Sequence, residues 1–189
     1  MNTPNPDAVI AAMRHWLEKA VIGLNLCPFA KSVYVANRVR FVVSDARHVD
    51  AFLEQLDDEL DFLAASDPQE VDTTLLIHPT LFDDFETFND IVGIAEEAVE
   101  EHGLEGVLQV ASFHPRFQFA DTEPDDIGNY TNRAPYPTLH LLREDSIAGA
   151  LAHYPHDPDS IYERNIETMK RLGRTGWDAL GIAPAKVPE

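Results

Sequence analysis

Cysteine is nearly absent: Cys27 stands alone, which excludes an internal disulfide and fits a reducing compartment. Positive charge is also scarce. Against 33 Asp and Glu there are only 14 Lys and Arg, a formal charge of -19. A field of that sign repels phosphate backbones and anionic lipid heads, which argues against nucleic acid and membrane surfaces as partners. No apolar run reaches the roughly eighteen residues that a membrane-crossing helix needs. The opening MNTPNPDAV has no basic stretch, apolar core and small-residue cleavage site of a secretory leader, so a cytoplasmic location is expected. A glycine-rich phosphate loop is missing, as are G-x-G-x-x-G, G-x-S-x-G and H-E-x-x-H, which argues against nucleotide cofactors held in the usual ways.

What is present reads as a folded domain. Apolar residues make up 44% of the 189 positions, too many for disorder and enough for one sizeable core, so a single globular domain over 1–189 is expected. Acid collects where helices face water, as in Glu96, Glu97, Glu100 and Glu101.

Asn5 before Pro6 predicts a capped helix over 6–22, with Val9, Met13, Trp16, Leu17 and Val21 at helical spacing. Gly23 and Pro28 then place Cys27 in a turn. Short β-branched runs predict strands over 39–44, 73–77 and 107–113, the last two ending in His-Pro. Between them lie amphipathic helices, one expected to be capped by Asp45 and the next by Asp83 or Asp84. A fourth strand is expected over 138–142. Helices follow over about 146–181, one of them capped by Asp159 and closed by Gly173, and a tail frays over 184–189.

Strand, helix, strand, helix, strand implies two crossovers. The expected fold is therefore α/β: one open sheet of about four strands, mostly parallel, with amphipathic helices packed on it and a helical C-terminal segment. In such sheets ligands gather at the carboxyl ends of the strands, which here carry Asp45, His78 and His114. The long segment 116–137, rich in proline and aromatics, is expected to be an ordered functional loop.

Around that segment Ser112, His114, Arg116, Asn129, Asn132, Arg133, His140 and Arg143 form a local excess of donors in an acidic chain. Guanidinium forks match carboxylate or phosphate geometry, so Arg116, Arg133 and Arg143, with Asn129, Asn132 and Ser112, are candidates to bind a small anionic ligand. His114, His140 and Cys27 are the catalytic candidates: imidazole changes charge near neutral pH, and a thiolate is a nucleophile. Each has a bland alternative. The arginines also suit pairing with Asp121, Asp125, Asp126 or Glu144, His114 a strand-end cap bonded to backbone, and Cys27 a place in the core. A tetrahedral zinc set of Cys27, His78, His114 and His140 is a further option, without the short ligand spacing that would favour it. An enzyme acting on a small anion, a non-catalytic binding or interaction module and a metal-binding protein all remain open.

The stretches GLNLCPFA, TTLLIHP, SFHPRFQFA, NYTNRAPYPTLHLLRE and RNIETMKRLG resemble the bacterial domain-of-unknown-function family numbered 1415, over nearly the whole chain. The resemblance implies a bacterial, cytoplasmic protein and assigns no reaction, substrate or cofactor. Its motifs carry Asn25, Cys27, Pro28, His114, Pro115, Asn132, Arg133, Pro135 and His140.

Overall fold

The computed structural model describes residues 4–158 and 160–185; Asp159 and the tail residues 186–189 lie outside it. Asn5 accepts a hydrogen bond from the Asp7 N–H at 2.9 Å, and Pro6 opens helix α1, Pro6–Trp16. The helix continues as a π-helical turn over Leu17–Ile22, so the span expected over 6–22 is present with its last part widened. Gly23 ends it. A Cβ there would stand 2.4 Å from the Lys19 carbonyl oxygen, an approach that a residue without a side chain avoids.

Helix α2, Ala30–Val35, is short and leads to strand β1, Val39–Val43; then come α3, Val49–Ala65, β2, Thr73–Ile77, α4, Phe85–Glu101, and β3, Leu108–Phe113. Asp84 caps α4 by accepting from the Thr87 N–H at 2.8 Å. At α3 the cap position is held by His48 with no side-chain bond, not by Asp45. A 3-10 turn, Ile127–Asn132, interrupts the long loop before β4, Thr138–Arg143. Helix α5, Glu144–Ala152, follows β4 directly, and α6, Ser160–Ala179, is broken at Gly173, whose φ of 65° no helix contains.

The strand order is β1-β2-β4-β3. Among the described residues β1 and β2 pair in parallel, while β4 is antiparallel to both β2 and β3. The expectation of a mostly parallel sheet is thus corrected to an open, mixed, mostly antiparallel one. The physical reason lies in the insertion. Strands β1, β2 and β3 share one direction, as two crossovers require, but β4 returns after 114–137 and takes the slot between β2 and β3, which breaks their adjacency.

Helices cover both faces of the sheet. Side chains of α3 and α4, including Phe52, Leu56, Leu60, Phe88 and Ala95, pack on Leu76, Leu139 and Leu141. On the opposite face α1, its π-helical extension, the 3-10 turn and α6 bring Met13, Trp16, Tyr130, Met169 and Trp177 against Leu75 and Ile77. Alternation along β2 sends Leu75 one way and Leu76 the other.

Two strand ends are tied by the same device. His78 Nδ1 accepts from the Thr80 and Leu81 N–H groups, so Nε2 carries the proton and donates to the Ala46 carbonyl at 2.9 Å. His114 Nδ1 accepts from the Arg116 N–H at 3.0 Å, and Nε2 donates to the Phe82 carbonyl at 2.8 Å. Each residue is 1% exposed. Burial pushes both imidazoles below their usual pKa, which keeps them neutral. His114→Phe keeps the stack on Phe88 but strands the Phe82 carbonyl and the Arg116 N–H. Urea unfolding is expected to show a loss of about 2–4 kcal/mol.

Candidate ligand cavity

On the α1 side of the sheet lies a cavity of about 500 Å³. Its floor is the row Val39, Thr73 and Leu142 with the neighbouring Leu75 and His140, which pair across β1, β2 and β4. Trp16, Leu17 and Val21 form one wall, Cys27, Phe29 and Val33 a second, and Ser146, Ile147 and Ala150 of α5 a third. The widened π-helical turn therefore presents its side chains to the hollow, a frequent use of such turns. The position was not expected. It sits where β1 and β2 begin and β4 ends, the opposite end of the sheet from His78 and His114.

A cluster of Arg38, Asp72, Arg143 and His140 lines this hollow. Arg143 turns its guanidinium to carbonyl oxygens at the end of α3 and in the loop before β2: Nη2 donates to Leu63 at 2.5 Å and Ser66 at 2.7 Å, and Nε to Val71 at 3.3 Å. Oxygens at a helix C-terminus carry partial negative charge that suits a cation. Asp72 accepts from the Ser146 hydroxyl at 2.5 Å. Arg38 is less occupied. Its Nη1 donates to the Pro68 carbonyl at 3.3 Å and stands 4.0 Å from Asp72, while Nε is sealed from solvent with no partner.

His140 and Thr73 form a fixed pair. Thr73 Oγ1 lies 2.6 Å from the Leu141 carbonyl oxygen and 2.7 Å from His140 Nε2. Two bare oxygens repel at that separation, so the single hydroxyl proton points to Leu141 and His140 Nε2 supplies the proton of the other bond. His140 Nδ1 then carries a lone pair. Burial pulls the His140 pKa down to about 4, so the ring is neutral at neutral pH. Cys27, on the same cavity, is pushed the opposite way: burial raises its thiol pKa, against the pull of the Phe29 and Ala30 N–H groups. Both groups rest uncharged.

Of the residues expected to form a site, Cys27, His140 and Arg143 meet at this cavity and the others do not. Ser112 lies on the α3 and α4 face, since its neighbour Phe113 lines the cavity and strand residues alternate. His114 is spent on backbone, and Arg116 is exposed. Asn129 is consumed within its loop, donating to Glu123 and accepting from Phe119 and Thr122. Asn132 Oδ1 accepts from the Thr131 hydroxyl. Arg133 donates to the Phe117 and Pro124 carbonyls and lies 4.1 Å over the Tyr130 ring. It lines a separate hollow of about 260 Å³ with Arg174 and Trp177. The loop arginine and Arg143 are thus held by carbonyl oxygens rather than by the acids of the loop. Among the described residues no three His, Cys, Asp or Glu side chains gather as a metal set, so Cys27, His78, His114 and His140 do not converge.

Arg38, Asp72, Thr73 and Ser146 were not anticipated. One signal was readable: in TTLLI, Thr73 alternates onto the same face as Leu75 and Ile77, so a hydroxyl occupies a core-facing position.

Fold and cavity together define a helix-covered mixed α/β protein with a buried Arg/His/Asp cluster beside an apolar hollow. The chain belongs to the family described as "Protein of unknown function (DUF1415)", whose model matches residues 8–179. No curated protein and no solved structure matches it. Among the described residues no helix is long and apolar enough to cross a membrane.

The His140 shift has a sign. Its folded pKa of about 4 lies below the ordinary 6.5, so the unfolded chain binds more protons between those values. The contribution is complete above pH 6.5 and is lost as pH falls toward 4, amounting to about 3 kcal/mol. Urea unfolding of wild type and His140→Gln across this window checks it: the gap between the two is expected to narrow as pH falls.

Proposed function

We propose that the protein binds a small molecule with an apolar body and an anionic head in the cavity bounded by α1, α5 and the sheet. The supporting observation is the pairing of two features in one hollow: walls of Trp16, Leu17, Val21, Leu75 and Phe113, and beside them Arg38, a partly exposed cation whose Nη1 reaches the Pro68 carbonyl at a long 3.3 Å and stands 4.0 Å from Asp72. Apolar walls supply affinity, and a few placed polar groups fix orientation. Arg38 receives the head. Arg143 adds positive charge at the same end, and Asp72, held by Ser146, keeps Arg38 oriented. The chain's field opposes anions at long range, but at contact a guanidinium beside apolar walls dominates.

Titration calorimetry with 2-naphthoate tests this. Wild type is expected to bind, Arg38→Gln to bind about ten-fold more weakly, ~1.4 kcal/mol, and Leu75→Trp, which fills the hollow, not to bind. Equal binding by wild type and Arg38→Gln removes Arg38 from the reading.

A catalytic reading rests on Cys27 and His140 lining the same cavity. In the resting protein they are a thiol and a neutral imidazole, so Cys27 as nucleophile requires a bound ligand to lower its pKa. At neutral pH iodoacetamide is expected to alkylate Cys27 at least about ten-fold more slowly than a free thiol, and 2-naphthoate to slow it further. Rapid alkylation of the ligand-free protein would favour the nucleophile.

A further inference from the structure

We infer that the ligand of this cavity carries a hydrogen-bond donor, a hydroxyl or N–H group, that meets Nδ1 of His140. The inference rests on the cavity reading above and names the second polar feature of the molecule bound there.

The network around Thr73 leaves no choice of tautomer. Its hydroxyl proton is committed to the Leu141 carbonyl by the 2.6 Å contact, so His140 Nε2 donates to Thr73 Oγ1 at 2.7 Å. Nδ1 is the acceptor, and among the described residues it has no partner. It is not sealed in the protein either: the sealed, unpartnered side-chain atoms there are Arg38 Nε and Thr74 Oγ1, and His140 lines the hollow. His78 and His114 show what this chain does with an acceptor it does not need, for in both the Nδ1 lone pair takes backbone N–H groups.

An unprotonated ring nitrogen in an apolar cavity loses its hydrogen bond to water unless the ligand replaces it. A carboxylate at this point would face a lone pair; a hydroxyl or N–H faces an acceptor. Two points of the cavity therefore select different groups, the anion at Arg38 and the donor at His140. With its pKa near 4 the imidazole accepts a hydrogen bond and leaves the proton on the ligand. It acts as a specificity-determining residue. Thr73 is the positioning residue that fixes which nitrogen faces the hollow.

A matched pair of probes reads this directly. 2-Naphthol and 2-methoxynaphthalene share one body, and the ether is the more apolar, so burial alone favours the ether. Wild type is expected to bind 2-naphthol at least about ten-fold more tightly, the value of one good hydrogen bond in a dry site. In His140→Phe the preference is expected to vanish or reverse. A measurement on wild type alone covers a variant that fails to fold: in long-range 1H–15N spectra, 2-naphthol moves the His140 Nδ1 resonance and the ether does not. Equal affinity for both probes, a preference that survives in His140→Phe, or a protonated Nδ1 in the free protein overturns the inference while the cavity reading stands. Binding of 2-naphthoate but of neither probe overturns the inference alone, and binding of none of the three overturns both.

Discussion

The insertion of β4 between β2 and β3 is the constraint on which the other features depend. Running against both neighbours, β4 packs on both faces and carries core and cavity positions at fixed spacing. Leu139 and Leu141 face α3 and α4, while His140 faces the cavity beside Thr73. At its last residue Arg143 reaches back to the Leu63 and Ser66 carbonyl oxygens at the C-terminus of α3. Helix α5 begins at the next residue and forms a wall of the hollow. A parallel β4 would have ended at the other edge of the sheet, with neither Arg143 at α3 nor α5 over the cavity.

Three histidines of the fold show how one side chain serves two ends. In His78 and His114 both ring nitrogens are occupied by backbone, where a strand stops and proline removes an N–H. These rings close the chain at strand ends and have no capacity left for a ligand. His140 spends one nitrogen on Thr73 and keeps the other open. Burial depresses the pKa of all three, so the number of free acceptors separates them rather than charge.

The arginines divide in a similar way. Arg40 is paired with Glu59 through two bonds of 2.8 and 2.9 Å, and Arg133 and Arg143 are satisfied by main-chain carbonyls. Arg38 lines the hollow with its Nη1 on the Pro68 carbonyl, and among the described residues its sealed Nε has no partner. Although the chain carries a charge of -19, Arg133 and Arg143 are held by oxygen dipoles of the fold itself, which cost less desolvation than a second buried ion.

Local sequence determined the elements. Asn5-Pro6, Asp84, Gly173 and the β-branched runs set helix and strand boundaries within a residue or two, because caps, glycine and alternation act over a few neighbours. His140 and Arg143 were readable as polar residues on a buried strand, and Cys27 as a turn residue. Which strand lies beside which was decided only in three dimensions, since pairing β4 with β2 joins residues more than sixty apart in the chain and no local pattern encodes that choice. The same distant pairing placed Thr73 against His140, moved the cavity to the start of β1 and β2, and left His114, Ser112 and Arg133 on other surfaces. Side-chain type is a local property, but convergence is a property of the strand order, and that order follows from burying both faces of β4 at once.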